Sequence, residues 1–232
     1  MKCVLIIGGN CDIGIALTNY FLNNNYNIVV GYHNNDVKHN NDVKYVKCDV
    51  TSNSDIENII SNTKNIYGNI DIIINLACLC MDNNFLEKTK EEFMKVLEVN
   101  LVGTFLCNQI YSKYIDNGLI INMSSTDGID TYSKYSIDYS ASKAGVISIS
   151  KSISLCTNNK VLCICPNWID TSSTRSMDKD YLDSELNRIG QSRLIKIDEF
   201  ISGFDKIIND KFNSGDTYRI DIKGDKLWVE KM

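Results

Sequence analysis

The sequence predicts an α/β fold, with a doubly wound, mostly parallel sheet covered by helices on both faces. Short runs of Val, Ile and Leu alternate along the chain with segments of helical periodicity, as crossover connections require. The first apolar run ends in two glycines directly before the first helical segment. Neither a linker nor an internal repeat interrupts the alternation. We therefore expect a single domain over residues 1–232.

Thirteen segments are predicted to form the elements of this fold, and the predicted sheet has seven strands. Most strand segments are continuous apolar runs, which is typical of strands buried on both faces. The strands are KCVLIIGG (2–9), NIVVGY (27–32), KYVKCDV (44–50), IDIIINLA (70–77), GLIINMSS (118–125), KVLCICP (160–166) and DTYRIDI (216–222). The helices are 13–25, 54–68, one long helix over 89–115, 139–155, a short helix within the polar stretch 168–193, and 197–210.

The bulk composition is that of a soluble globular protein, with 44% hydrophobic and 23% charged residues. A net charge of −5 argues against nucleic acid as a partner, because phosphate contacts need a basic surface. The same charge gives no attraction to anionic membranes. The segment MKCVLIIGG (1–9) is too short, and too soon interrupted by glycine, for a signal peptide or a membrane span. We expect a cytoplasmic protein.

The nine cysteines are expected to be reduced thiols and not a disulfide framework. Two pairs, Cys78/Cys80 and Cys163/Cys165, have a spacing that places both sulfurs on one face of a strand. Structural zinc more often uses Cys-x₂₋₄-Cys with further ligands nearby, and both histidines lie in another segment. We therefore expect no metal site and interpret these cysteines as small buried apolar residues.

The turn between the first strand and the first helix reads GGNCDIG (8–14) and predicts a Rossmann-type dinucleotide site. Gly8 would permit a tight turn, and Gly14 would let the helix start pack closely and expose its amides. The helix N-terminus supplies a partial charge of about +0.5, which suits a pyrophosphate. The predicted members of the turn are Gly8, Asn10, Cys11, Ile13 and Gly14.

Tyr139 and Lys143, in YSASK (139–143), lie one turn apart on one face of a predicted helix. Such a pair is most often a solvated helix edge, so the spacing alone does not establish a function. A free phenol has a pKa of about 10, and a neighbouring ammonium favours the phenolate. The pair becomes a candidate acid–base site once other motifs place a substrate beside it.

Seven motifs resemble, in order, those of the short-chain dehydrogenase/reductase family. They are GGNCDIG, CDV (48–50), NLA (75–77), VN (99–100), MSS (123–125), YSASK and PNWIDT (166–171). The resemblance runs from Lys2 to about Gly224 and implies an NAD(P)(H)-dependent oxidoreductase that reduces a carbonyl or oxidises a secondary alcohol. The chain departs from the family at Cys78 and at Asp12, where the family has glycine. The Asp12 carboxylate must point away from a diphosphate or cap the helix.

The resemblance assigns catalytic roles to four residues. Tyr139 would exchange a proton with the substrate oxygen, while Lys143 would favour the phenolate and hold the nicotinamide ribose. Ser125 would hydrogen-bond and orient the carbonyl or alkoxide, with Ser124 as the alternative. Asn100, inside the long helix, would hold a water that links Lys143 to solvent.

The resemblance also implies the adenosine site. Its predicted members are Asp49 and Val50 at the adenine, and Asn75 and Ala77 beside the adenosine. An acidic residue just after the second strand would bind the 2′-hydroxyl of NAD(H) and repel a 2′-phosphate. The sequence there is VVGYHNN, with no carboxylate before Asp36. Tyr32 occupies the expected position, and His33 with Asn34 would meet a phosphate, so we expect NADP(H) in preference to NAD(H).

The segment from Pro166 to Thr171 would cover the nicotinamide, with the Ile169 backbone and the Thr171 hydroxyl reaching its carboxamide. Residues 78–100 and 169–175 resemble 3-oxoacyl-(acyl carrier protein) reductases, in which a basic residue at the position of Arg175 helps to dock the acidic carrier. A second such position is Asp116 here, so an acidic carrier fits this acidic protein less well.

Alternative functions stay open at this point. A small alcohol, a sugar or a cyclic diol is an alternative small-molecule substrate, and the segment 172–193 would decide between them. A non-catalytic nucleotide sensor on the same scaffold is a second class, since fold alone does not give function. The intact catalytic set favours an enzyme. Ala141, Ala144 and Gly145 allow close helix packing and, with the helix over 89–115, predict a homodimer or homotetramer.

Overall fold

The computed structural model describes residues 1–33 and 40–232, and its strands form one sheet of eight. They are β1 (Cys3–Ile7), β2 (Asn27–Tyr32), β3 (Val43–Lys47), β4 (Ile72–Asn75), β5 (Leu119–Met123), β6 (Lys160–Pro166), β7 (Thr217–Lys223) and β8 (Lys226–Lys231). The order is β3-β2-β1-β4-β5-β6-β7-β8, and all pairs are parallel except β7 with β8. The predicted doubly wound α/β class is confirmed.

The sheet has one strand more than the seven predicted. β8 pairs antiparallel with β7, from Tyr218 opposite Lys231 to Lys223 opposite Lys226. The turn between them contains Gly224, whose φ of +59° favours glycine. The pattern of KLWVEK does not reveal a strand, because its apolar run is only three residues long, Leu227 to Val229, and its side chains are half-buried or exposed. Ladder hydrogen bonds, and not burial, define this strand.

Helices cover both faces of the sheet. They are α1 (Asp12–Asn23), α2 (Asn53–Tyr67), α3 (Lys90–Leu97), α4 (Gly103–Tyr114), α5 (Ile137–Ile153), α6 (Ser172–Arg175), α7 (Lys179–Ile189) and α8 (Ile197–Asn209). α1 and α8 pack together on one face, and α2, α4 and α5 lie on the other. In the described part of the chain, no helix has the length and apolar character needed to span a bilayer.

Two large apolar cores flank the sheet, beside a small third cluster of Val146, Cys163 and Cys165, and β1 contributes to both large cores. Ile6 packs with Phe21 of α1 and Phe204 of α8 in one core. Leu5 belongs to the other core, together with Tyr111 of α4. Because consecutive strand residues point to opposite faces, a strand buried on both sides needs a continuous apolar run. This is why the central strands are so clear in the sequence.

Two helical segments differ from the prediction. The long helix over 89–115 consists of α3 and α4 joined by a π-helical turn, Glu98–Val102. The polar stretch 168–193 holds two helices, α6 and α7, where one short helix is predicted. α7 buries only Glu185, so its sequence lacks the apolar periodicity that identifies a helix.

An ion pair between Arg193 and Glu199 joins the segment before α8 to its first turn. Two Arg193 nitrogens donate to the two Glu199 oxygens, each at 2.7 Å. These bonds lower the pKa of Glu199 from 4.5 to about 2. Since the pKa is lower in the folded than in the unfolded chain, the stabilisation is present above pH 4.5 and is lost as the pH falls toward 2.

We expect Glu199→Gln to lower the free energy of unfolding at neutral pH by about 1–2 kcal/mol, a figure discounted for partial exposure. Near pH 3 the difference from wild type should shrink, because much of the stabilisation that the ionised Glu199 gives to the fold is lost between pH 4.5 and pH 3. Urea unfolding at both pH values measures the effect. Glu57→Gln, at an exposed position of α2, serves as the control. A loss of equal size at both pH values would contradict the assignment.

Candidate active site

The turn between β1 and α1 has no room for side chains at two of its glycines. Gly8 has φ +74°, and a Cβ there would lie 2.5 Å from the Ala77 nitrogen. A Cβ at Gly14 would lie 2.2 Å from a carbonyl oxygen of the same turn. Cys11 caps α1 by accepting a hydrogen bond from the Gly14 amide, with N···Sγ 3.4 Å. Bare backbone at a helix N-terminus suits an anion such as a diphosphate. The same turn and helix start contain Asn10 and Ile13.

Asp12, which replaces a family glycine, is directed toward α6. The Ser172 amide donates a hydrogen bond to the Asp12 carboxylate. Arg175 lies 3.8 Å from the same carboxylate and pairs with Asp170 at 2.9 Å. The position of the Asp12 side chain relative to a diphosphate stays a prediction. The side chain links the glycine turn to the segment after β6.

Four of the residues predicted near the adenosine and its 2′-phosphate lie at the ends of β2 and β3. Tyr32 ends β2, and the next residue, His33, places its Nε2 3.7 Å from Asp49 Oδ2. Thr51 donates to Asp49 Oδ1 from its amide at 2.9 Å and from its hydroxyl at 2.8 Å. The amide bond is the main cause of the lowered pKa of Asp49. Val50 beside it is buried in the core under α2 and α4.

Asn75 lies at the carboxyl end of β4, at the switch point of the sheet. Its Nδ2 donates to Asn122 Oδ1 at 2.8 Å. Its Oδ1 is buried and has no hydrogen-bond partner within the described residues. Ala77 follows two residues later, against Gly8. Buried amide oxygens are normally bonded, so this acceptor is open to a bound molecule.

The predicted nicotinamide segment begins where β6 ends, at Pro166. Ile169 forms a parallel bridge with Ile195 and is buried. Thr171 caps α6, because its hydroxyl accepts from the Thr174 amide at 3.3 Å. The Ile169 carbonyl accepts from the Thr174 hydroxyl at 2.8 Å. The segment is thus anchored by its own bonds, and the predicted contact of the Thr171 hydroxyl with a carboxamide stays a prediction.

Ser125, Tyr139 and Lys143 converge beyond the carboxyl end of β5. The buried Lys143 Nζ lies 5.3 Å from the centroid of the Tyr139 ring and donates to the Met123 carbonyl at 3.0 Å. The Ser125 side chain lies close enough to Tyr139 to lower the pKa of the phenol. The Ser124 hydroxyl instead donates to the Lys143 carbonyl at 2.7 Å. Of the two candidate serines, Ser125 is therefore the one beside the phenol.

The pKa of Tyr139 is raised well above its usual value. Burial of the phenol is the largest cause, nearby Cys78 and Asp127 add to it, and the Ser125 side chain acts in the opposite direction. The expected effect of Lys143, which favours the phenolate, is not dominant in this structure. The phenol is therefore protonated at neutral pH, which is the form that donates a proton to a carbonyl oxygen.

Asn100 lies in the π-helical turn between α3 and α4 and is 1% exposed. Its Oδ1 accepts from the Leu79 amide at 2.7 Å, and its Nδ2 donates to the Leu79 carbonyl at 2.9 Å. The Nδ2 also donates to the Ser142 hydroxyl at 3.0 Å. π-helical turns are frequent at functional sites. This one ties the segment after β4 to α5 next to Lys143, and the proposed water relay stays a prediction.

A buried ion pair supports the start of α5. Lys88 Nζ lies 2.9 Å from Asp138 Oδ2, and the two side chains are 3% and 0% exposed. Asp138 Oδ1 accepts from the Tyr139 amide at 2.9 Å. The pair thus holds the segment before α3 against the helix that presents Tyr139. No sequence motif reveals it, because Lys88 and Asp138 are 50 residues apart.

The interpretation of the paired cysteines as buried is wrong for one pair. Cys78 and Cys80 are both exposed. β4 ends before them, so they lie in an irregular segment and not on a strand face. Cys163 and Cys165 are buried in β6, with their Sγ atoms 4.0 Å apart.

Charged residues outside the predicted set include Asp127, which acts on the phenol, and two residues near Asp127. Asp127, two residues after Ser125, is 7% exposed and accepts from the Thr131 hydroxyl at 2.8 Å. Arg188 of α7 pairs with Glu185 at 2.7 Å and donates to the Thr131 carbonyl at 2.9 Å. The sequence signal for Asp127 is its position just after the predicted serine. Nothing in the polar stretch 168–193 singles out the other two.

The chain is similar to known proteins in both sequence and structure. The model of a family described as short chain dehydrogenase matches residues 2–182. Carbonyl reductase family member 4 of Xenopus laevis is 30% identical over 203 residues, which span 82% of this chain and 86% of that protein. The 3-oxoacyl-(acyl-carrier-protein) reductase MabA of Mycobacterium tuberculosis is 27% identical over 199 residues, or 83% and 79%. The structure of ElxO with NADP bound has a TM-score of 0.77 at 22% identity, over 94% and 96% of the chains.

Proposed function

Because the chain belongs to the short-chain dehydrogenase family, we propose that it is an NADP(H)-dependent oxidoreductase that reduces a carbonyl or oxidises a secondary alcohol. The family also makes it an enzyme of the short-chain dehydrogenase/reductase type, as the intact catalytic set predicts. The observation that carries the proposal is the convergence of Ser125, Tyr139 and Lys143 at one edge of the sheet. A sensor without catalysis would not require that arrangement.

The cleft has features that fit a dinucleotide. Side chains are excluded at Gly8 and Gly14, so backbone groups face the cleft at the start of α1. The open Asn75 acceptor lies at the same edge of the sheet. The Asp12 carboxylate is held by Ser172 and by Arg175, which offsets its charge. When bound, a nicotinamide cofactor supplies or accepts the hydride at the substrate carbon.

In the direction of reduction, Tyr139 gives its proton to the substrate oxygen while hydride reaches the carbon, and a secondary alcohol results. Ser125 orients the oxygen through a hydrogen bond. The buried Lys143 ammonium stabilises the phenolate that remains after transfer. Oxidation is the reverse, with Tyr139 taking the proton of the alcohol.

The preference for NADP(H) is proposed from the absence of a carboxylate at the end of β2, where Tyr32 and His33 lie. The similar structure of ElxO contains NADP, which supports this choice. Asn34, the other residue predicted to meet a 2′-phosphate, lies outside the described residues.

We expect Tyr32→Asp to weaken NADPH binding by about tenfold or more and to affect NADH binding much less, because a carboxylate there repels a 2′-phosphate and binds a 2′-hydroxyl. Nicotinamide fluorescence titration with each nucleotide measures both affinities. Tyr32→Phe is the control and should change neither. Equal losses for the two nucleotides would contradict this placement of the 2′-phosphate.

A 3-oxoacyl thioester is the finer candidate for the substrate, and the similarity to MabA supports it. The charges near the predicted docking position weaken it. Arg175 is paired with Asp170 and approaches Asp12, and the second docking position is Asp116. An acidic carrier therefore meets little uncompensated positive charge there. A small alcohol, a sugar or a cyclic diol is the alternative.

The direct test mixes the purified protein with acetoacetyl thioester and follows nicotinamide absorbance with NADPH and, separately, with NADH. Faster oxidation of NADPH would support both the acyl reductase and the cofactor preference. Nucleotide binding without turnover of the thioester would eliminate that substrate. Binding without turnover of any carbonyl or alcohol would contradict the proposed function.

A single domain over residues 1–232, a cytoplasmic location and a homodimer or homotetramer are proposed from the sequence. Exposed apolar residues on two adjacent helices support self-association. These are Val102, the last residue of the π-helical turn, and Phe105 of α4, beside the exposed Ala141 and Ala144 of α5.

A further inference from the structure

Asp127 lies next to the proposed reaction site. It belongs to the 3₁₀ turn Thr126–Gly128, and its amide donates to the Ser125 hydroxyl at 3.1 Å. Its charge also contributes to the raised pKa of Tyr139. The carboxylate is therefore adjacent to Ser125 and Tyr139, the two groups that would bind the reacting oxygen. Asp127 does not itself bind that oxygen.

Asp127 is 7% exposed, and one of its two carboxylate oxygens is bonded to a side chain of the described residues. Oδ1 accepts from the Thr131 hydroxyl at 2.8 Å, whereas Oδ2 has no hydrogen bond to any residue in the described part of the chain. Burial is also the main cause of the raised pKa of Asp127. Removing a carboxylate from water is costly unless its oxygens are bonded. Oδ2 is not among the fully buried, unbonded oxygens of the described residues, so it is accessible, and a bound molecule can supply its donor.

Charges of both signs surround this carboxylate. Arg188 lowers the pKa of Asp127, while Glu185 and Asp82 raise it. Arg188 is itself held by Glu185 at 2.7 Å and by the Thr131 carbonyl at 2.9 Å. The groups around Asp127 therefore include both hydrogen-bond donors and acceptors.

Three classes of substrate fit this lining differently. An acyl chain would cover the open oxygen with methylene groups and leave the carboxylate unbonded, at a cost in affinity. A cationic amine would satisfy Asp127, but it would lose its own hydration at a site that holds Arg188 as well as Glu185 and Asp82. A hydroxyl group donates to the open oxygen and brings no charge, so it fits without either penalty.

We propose that Asp127 accepts a hydrogen bond from a hydroxyl adjacent to the reacting carbon, and that the substrate is a vicinal diol or the corresponding α-hydroxy carbonyl compound, as found in small sugars and polyols. The inference rests on the proposed function, because it requires the reacting carbon to lie beside Ser125 and Tyr139. Asp127 determines specificity in this scheme and takes no part in the transfer of hydride or proton.

Matched substrate pairs test the inference. The pairs are 1,2-cyclohexanediol with cyclohexanol, assayed with NADP⁺, and acetoin with 2-butanone, assayed with NADPH. We expect the hydroxylated member of each pair to have a kcat/KM at least about tenfold higher in the wild type. Asp127→Leu should lower that value about a hundredfold and leave the other member within about threefold, since only the hydroxyl contact is lost.

Two further variants separate the loss of the hydroxyl contact from effects on folding and on net charge. Asp127→Asn keeps the shape and one acceptor, so it should fold even where the leucine variant does not, and it should reduce the preference within each pair by several-fold. Asp130→Asn, at an exposed carboxylate that follows the same turn, should leave the preference unchanged.

The outcomes separate the inference from the proposed function. Turnover of acetoacetyl thioester without any preference within the pairs would overturn the inference and leave the oxidoreductase intact. Equal losses for both members of a pair in Asp127→Leu would also overturn it, because they would indicate a general effect on the site. Failure of every substrate with nucleotide bound would overturn both.

Discussion

Replacement of Tyr139 by phenylalanine is expected to reduce turnover by about a thousandfold or more, because the proton donor at the substrate oxygen is lost. The variant keeps the ring, so its contact with the Lys143 ammonium and the packing of α5 should persist. Nucleotide affinity should therefore change little. The structure strengthens this expectation, since burial keeps the phenol protonated and ready to donate.

Steady-state kcat in both directions and nucleotide titration of the same preparation measure the two effects separately. Tyr132→Phe is the matched control, because Tyr132 is exposed and its hydroxyl donates to the Ile129 carbonyl in the loop before α5. It should retain turnover close to that of the wild type. Wild-type turnover in the Tyr139 variant would exclude Tyr139 as the proton donor.

The second large effect is expected at the buried ion pair of Lys88 and Asp138. Lys88→Met should lower the free energy of unfolding by about 3–5 kcal/mol, because it leaves the Asp138 carboxylate buried without a counter-charge. Turnover of the folded fraction should also fall, since Asp138 holds the amide of Tyr139. Adding Asp138→Asn should recover part of the lost stability, because the uncompensated charge is then removed.

Chemical denaturation of the two single variants and the double variant gives the coupling free energy between these side chains. Lys90→Met, at an exposed position at the start of α3, is the control and should change stability little. Additive losses in the double variant would show that the two residues stabilise the fold independently, contrary to the contact seen here.

The parts of the fold that the sequence predicts are those in which burial on two faces leaves a pattern. Ile72 to Ile74 in β4 and Ile120 with Ile121 in β5 are nearly or fully buried, and their runs are unmistakable. β8 and α7 do not follow this rule, because they bury little and are defined by hydrogen bonds and caps. The pattern of apolar residues in the sequence therefore predicts the central strands of the sheet better than its edge strand.

The same distinction applies to the site. Gly14, Tyr139 and Lys143 are predicted because each belongs to a contiguous motif with a local geometric purpose. Asp127 and the Lys88–Asp138 pair act through residues distant in the chain, which only folding brings together. The π-helical turn at Asn100 is also invisible in the sequence, since the bonds of its side chain go to Leu79 and Ser142.

The antiparallel strand β8 has a consequence for how copies of this chain meet. Without it, β7 would present a row of unpaired backbone groups at the edge of a sheet whose inner residues, such as Ile220, are fully buried. Open strand edges of that kind recruit other strands and lead to aggregation, and lysines along an edge discourage such pairing. Lys226 and Lys231 stand at the two ends of β8 and are exposed. Although β8 contributes little to the core, it thus disfavours edge-to-edge association between copies of this chain.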